Sequence, residues 1–189
     1  MANQKLVTPP FRVCFPNVFE KRSFNEGEPK FSVMAVFDPS SFGKAETAAF
    51  KRLQAAANEA AKDKLRKPLS DGAVRSPFRD GAEKEHLEGI EAGFIFITLS
   101  TKLRPGVIDR DMQPIIDEEV FYPGCYARAT VNAYAYDNVS KGVAFGLQNI
   151  QKIGDGENLT GRTKAEDDFE GDAPEWGDTS ATGDDDLLA

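Results

Sequence analysis

The chain has 189 residues, with 23 lysines and arginines against 31 aspartates and glutamates, two cysteines and one histidine. So few Cys and His residues argue against a zinc centre, which needs four clustered ligands, and no run of about 18 apolar residues is present to span a membrane. Charge is unevenly spread: Ala165 to Ala189 holds ten carboxylates and no lysine or arginine, leaving 23 basic and 21 acidic residues on Met1 to Lys164, a net charge of +2 on the body against −10 on the final segment.

About 164 body residues suit one domain with one core. The amino-terminal Met1-Ala2-Asn3-Gln4-Lys5 lacks the charged and apolar regions of a secretion signal, so an intracellular, soluble protein is expected. In chain order, Arg12 to Glu20 and Lys30 to Phe37 read as strands joined through Asn25-Glu26-Gly27-Glu28-Pro29, a hairpin. Asp38-Pro39-Ser40-Ser41 offers cap residues, after which Phe50, Leu53, Ala57, Ala60, Ala61 and Leu65 recur at helical spacing. The pattern predicts an amphipathic helix over Lys44 to Lys67. Its other face carries Lys51, Arg52, Lys62, Lys64, Arg66 and Lys67, which suits a solvated surface first and a direct phosphate-binding role second.

Leu69 to Gly93 is polar and turn-rich and reads as a long excursion. Phe94 to Thr101 is β-branched and aromatic, the composition of a central strand. Leu103 to Ile116 reads as a loop, Glu119 to Tyr122 and Cys125 to Tyr136 as strands flanking Pro123-Gly124, and Lys141 to Ile153 as the last strand. Cys14 and Cys125 lie in apolar, strand-like surroundings and are expected to be buried small hydrophobes rather than ligands or nucleophiles.

The segment CYARATVNAYAY, from Cys125 to Tyr136, carries most of the functional signal. A period of two puts Cys125, Ala127, Ala129, Val131, Ala133 and Ala135 on one side, and Tyr126, Arg128, Thr130, Asn132, Tyr134 and Tyr136 on the other. The first set suits a crowded barrel interior. The second presents three phenol rings, a guanidinium and hydrogen-bonding groups in one line, which suits single-stranded nucleic acid, whose bare base faces accept stacking rings. The same pattern also fits tyrosines packed against another layer of the protein, with their hydroxyls at its rim. Phe11, Phe15, Phe19, Phe31, Phe37, Phe94, Phe96 and Phe145 are expected in the core. Arg12, Lys21, Arg22, Lys30, Lys102, Arg104 and Lys141 lie beside strands, as a channel tracking a phosphate backbone requires.

The strings KLRPGVID at Lys102 to Asp109, FYPGCYARATVNAYAYDN at Phe121 to Asn138, KGVAFGLQNIQKI at Lys141 to Ile153, and AEDDF at Ala165 to Phe169 resemble a family of single-stranded DNA-binding proteins encoded by tailed bacteriophages and built on an OB-fold. The resemblance implies sequence-tolerant binding of single-stranded DNA in phage replication, recombination or repair, in the cytoplasm of the infected bacterial host, without catalysis or cofactor. The fold it implies is mainly β with one substantial helix: an OB-like five-stranded barrel with elaborated loops over residues 1–164, followed by a disordered acidic tail over 165–189. The helix falls after two strands rather than in its commonest place between the third and fourth. Alternation and charge nominate Tyr126, Arg128, Asn132, Tyr134 and Tyr136 for DNA, with Lys102, Arg104 and Lys141 alongside. The tail resembles those of other single-strand binders, which end in acids and an apolar tip; here Asp184, Asp185, Asp186, Leu187 and Leu188 are candidates for recruiting replication or recombination proteins.

Two readings from other classes compete. Asp109, Asp111, Asp117, Glu118 and Glu119 are the hard oxygen ligands a magnesium-dependent nuclease would use, although no lysine follows in the next strand and Pro114 interrupts the cluster. Alternatively, the ten terminal carboxylates imitate a phosphate run and the body merely displays them.

Overall fold

The computed structural model describes residues 5–163 and 165–171. In chain order the elements are β1 (Leu6–Val7), β2 (Phe11–Arg22), β3 (Lys30–Phe37), α1 (Lys44–Leu65), β4 (Arg79–Asp80), β5 (Ile95–Thr101), β6 (Gly106–Ile108), β7 (Tyr126–Asp137), β8 (Lys141–Gly154) and α2 (Ala165–Asp168). Five strands close into a ring, β2-β3-β5-β8-β7, with β7 returning to β2. The β5 and β8 contact is parallel and the other four are antiparallel. The closing seam is short, pairing only Phe11 with Ala127 and Arg12 with Tyr126. This is the partly open five-stranded barrel of the OB-fold. The helix enters between the second and third barrel strands, as its position after two sequence strands indicated.

The interior is built by alternation. Cys125, Ala127, Ala129, Val131 and Ala135 are buried on one side of β7, and the half-buried Ala133 packs against the same core. These small side chains let α1 lie close against β7 and β8, where Phe50, Leu53, Ala57, Ala61 and Leu65 complete the core. Edge-to-face aromatic contacts link Phe11, Phe37, Phe50, Phe78 and Phe145 through successive ring pairs, an arrangement favoured by the ring quadrupole. The helix ends where Arg66 takes a left-handed conformation and its N–H closes onto the Lys62 carbonyl. Cys14 and Cys125 are free and buried, and burial pushes both thiols up to about 11, so neither is a nucleophile at neutral pH.

Two sequence expectations are corrected, and a third segment gains an anchor. Glu119 to Tyr122 is turn rather than strand, because Asp117 captures the backbone: its Oδ1 accepts from the Glu119 N–H at 2.8 Å and its carbonyl accepts from Val120 and Phe121. The loop Leu103 to Ile116 contains β6, which pairs in parallel with β8 through Gly106 and Asn149. That pairing depends on a partner more than 40 residues away, so local composition does not show it. The excursion from Leu69 to Gly93 is anchored: Ile90 is buried with Cys14, Val36 and Phe96 on the outer side of the barrel, and Leu87, Phe94 and Met34 pack around them. The far end of the excursion thus covers the outer side of the barrel. No helix among the described residues is long and apolar enough to cross a membrane.

Candidate nucleic-acid interface

The YPGCY string sets the start of β7. Gly124 adopts φ +108° and donates its N–H to the Val13 carbonyl at 2.8 Å. A Cβ there would lie 1.8 Å from the Glu157 carbonyl oxygen, so only glycine lets the chain after β8 cross the turn. Tyr122 holds that crossing segment from beneath. Its hydroxyl oxygen lies 2.9 Å from the Gly156 carbonyl and 3.1 Å from Asp155 Oδ1, and it accepts from the Gly156 N–H at 3.1 Å. The Lys152 ammonium sits 5.1 Å over the same ring. Burial raises the Tyr122 phenol above its usual value, with Gly156 and Asp155 as lesser influences.

Beyond the turn, the outward side of β7 carries the residues nominated from alternation. Tyr126 is 41% exposed and Tyr134 38% exposed. Arg128 is exposed, and its Nε donates to Gln151 Oε1 at 2.8 Å while Gln151 Nε2 donates to the Asp109 carbonyl at 3.1 Å. The guanidinium is thus aimed by a brace running back to the segment after β6. Asn132 pairs across to Gly146 and is half-buried. Tyr126 lies against Gly156, where an added Cβ would be 2.9 Å from its Cε2. Tyr136 differs from the other two tyrosines in being less exposed. It pairs with Gly142, where an added Cβ would lie 2.6 Å from its Cζ and 2.9 Å from Arg75 Cβ, so its ring is laid over the glycine and half-buried.

The nominated cations separate into distinct settings. Lys102 forms a 2.7 Å ion pair with Glu28, and Lys141 pairs with Asp137 at 3.6 Å. Arg104 is exposed and makes no ion pair among the described residues. Glu28 is held below the usual carboxylate range, first by the hydrogen bond from Lys102 and then by its charge, with Lys30 and Lys21 adding to the effect. Three lysines around one carboxylate leave this corner net positive. A phosphate arriving there competes with Glu28 for Lys102, so Glu28→Gln is expected to tighten binding of a polyanion at low salt. Ions screen the difference away as salt rises. A fluorescence titration of both forms at two salt concentrations measures it, and weaker binding by the variant would contradict it.

The structure adds two features that local sequence did not supply. The registers place Asn17, Ser32, Ser100, Gly146 and Asn132 side by side across all five barrel strands. This row contains nothing larger than asparagine; within it Ser32 is buried and the Asn132 amide lies over Gly146. It emerges only from long-range register. The second feature is Phe15, which the sequence reading placed in the core but which is 52% exposed.

Within the acidic segment of Asp109, Asp111, Asp117, Glu118 and Glu119, two carboxylates are turned onto nearby backbone. Asp109 Oδ1 accepts from the Asp111 and Gln113 N–H groups at 2.8 and 2.9 Å, and Asp117 caps its own turn. Among the described residues, no group of three or more His, Cys, Asp or Glu side chains is gathered to hold a metal ion. Asp184, Asp185, Asp186, Leu187 and Leu188 lie outside the described residues, as does the proposed tail from residue 172 onward.

This geometry is an OB-type barrel with aromatic, amide and guanidinium side chains along one exposed strand face. The family model described as Enterobacter phage Enc34, ssDNA-binding protein matches residues 4–184, and the chain belongs to that family. Among curated proteins, it is 36% identical over 128 residues to putative protein p50 of Acyrthosiphon pisum secondary endosymbiont phage 1, covering 67% of this chain and 65% of the relative's length. Among solved structures, the single-stranded DNA-binding protein of bacteriophage Enc34 in complex with ssDNA matches with a TM-score of 0.63 at 19% identity, over 81% of this chain and 88% of that one. The gp2.5 single-stranded DNA-binding protein encoded by bacteriophage T7 matches with a TM-score of 0.57 at 12% identity, over 93% and 98% of the two chains. At these identities the structural matches establish a shared fold.

Proposed function

We propose that this protein binds single-stranded DNA with little base preference, without catalysing a reaction on it. The observation that carries the reading is the outward line on β7, where two exposed tyrosines and a braced arginine stand on a barrel whose relatives include single-stranded DNA binders. Tyr126 and Tyr134 stack on bases and Arg128 meets phosphate. Asn132 hydrogen-bonds base edges or sugar from the small polar row, and Tyr136 supports the line from its place over Gly142. Lys102, Arg104 and Lys141 track the backbone at the margins.

In this reading residues 1–164 form the DNA-binding domain and Ala165 to Ala189 an acidic tail whose first residues form the short α2. The tail competes for the same groove, since a tether keeps its ten carboxylates at high effective concentration beside the cations. Displaced by DNA, its end at Asp184 to Leu188 recruits replication or recombination proteins. The setting is phage DNA metabolism in the cytoplasm of the infected host.

The test is a titration of oligonucleotides of different base composition across a salt series. Affinities should agree closely between compositions, and log affinity should fall with log salt at about −0.7 per phosphate neutralised. Replacing Arg128 should flatten that slope. Binding confined to one sequence, or independent of salt, would contradict the reading.

A further inference from the structure

Strand β2 changes phase in its middle. Phe11 and Val13 face the barrel core and Cys14 faces outward, so regular alternation would turn Phe15 inward. After the next few residues Val18, at an even position, is in the core instead. The inversion takes place at a bulge: the register to β3 shifts between Cys14, which pairs with Met34, and Asn17, which pairs with Ser32. Phe15 occupies that bulge at φ +47°, a left-handed conformation that a bulge normally gives to glycine and that is an outlier for a bulky side chain. Pro16 follows, and Asn17 Nδ2 donates to the Phe15 carbonyl at 3.2 Å, which fixes the bend.

Two local costs coincide here. The backbone sits in a disfavoured region, and the ring it carries is 52% exposed, so folding gains little burial in return. Glycine would fit the backbone without strain, and a polar residue would suit the exposure. The exposed Phe24, by contrast, lies in the hairpin turn without a positive φ. Phe15 also has informative neighbours. It is two residues from Asn17, the β2 end of the small polar row, and three from Arg12, the cross-strand neighbour of Tyr126. Arg12 Nε is buried without a hydrogen-bond partner, while Nη2 reaches the Glu157 carbonyl at 3.3 Å.

We infer that Phe15 is a base-stacking residue of the single-stranded DNA site, turned out of the barrel by the bulge so that its ring faces a base beside the β2 and β7 seam. The inference rests on the proposed DNA-binding function and adds β2 to a site otherwise assigned to β7. A ring that stacks contributes to affinity without neutralising a phosphate, which separates it from the cationic residues.

The experiment measures dissociation constants of the full chain for an oligothymidylate across a salt series, together with melting temperatures, for the parent, Phe15→Ala, Phe15→Gly and Phe15→Tyr. Phe15→Ala and Phe15→Gly should bind roughly five- to 150-fold more weakly with an unchanged salt slope. Phe15→Gly should melt no lower than the parent, since it relieves the left-handed backbone, and Phe15→Tyr should retain binding. Parent-like affinity in Phe15→Ala would overturn the assignment while leaving the DNA-binding function standing. Lost self-association in that variant with unchanged affinity would mark Phe15 as a contact between copies and overturn it equally. Weaker binding fully explained by unfolded protein would make the ring structural, and a parent that fails to bind single strands would remove the function and the assignment together.

Discussion

Replacing Gly124 with alanine is expected to destabilise the protein by roughly 3 to 4 kcal/mol, near the upper end of single-residue effects. Two penalties act at one position. The new Cβ would sit 1.8 Å from the Glu157 carbonyl oxygen, a backbone atom unable to swing aside like a side-chain tip, and φ +108° is a conformation that alanine rarely adopts. Relief requires moving either the turn before β7 or the segment after β8, and both are fixed by the Tyr122 contacts with Gly156. Calorimetry should show a melting temperature lower by about 10 °C. An unchanged melting temperature would mean that the crossing segment yields freely and that the YPGCY turn does not organise the site.

The second large effect is on binding. Tyr126→Ala and Tyr134→Ala are each expected to weaken single-stranded DNA binding by about 1 to 3 kcal/mol, the usual contribution of a stacked base. The two positions are eight residues apart on one strand, about 26 Å, so the losses should add in the double variant. Stability should change little, because both rings are substantially exposed. Tyr136→Ala supplies the internal contrast. Its ring covers Gly142 and is half-buried, so that variant should lower the melting temperature as well. Equal binding by the double variant and the parent, measured by fluorescence anisotropy, would remove β7 from the interface.

The parts of this fold legible in the sequence are those governed by local periodicity. The hairpin of β2 and β3, the helix from Lys44 and the two long strands β7 and β8 fall close to where alternation and helical spacing put them. The two faces of β7 could be assigned because alanine and tyrosine differ so much in size and polarity. What escaped depends on partners distant in sequence. β6 exists only against β8, and the polar row from Asn17 to Asn132 exists only once four registers are set. The position of Phe15 depends on a one-residue bulge, and such an insertion inverts every later side chain without changing composition. Charge was the weakest guide. Lys102 is engaged by Glu28, distant in sequence, and Lys141 by Asp137, its partner across the turn between β7 and β8.

The proposed function requires that exposed base faces, and not phosphate charge alone, hold the ligand. It is tested most directly by competing a labelled single strand bound to the full chain with unlabelled single-stranded and duplex DNA of the same length at one salt concentration. Stacking by the β7 tyrosines predicts that the single strand displaces the label at much lower concentration than the duplex, whose base faces are already covered. Equal displacement by the two would contradict the account, since only the phosphate charge they share could then be responsible.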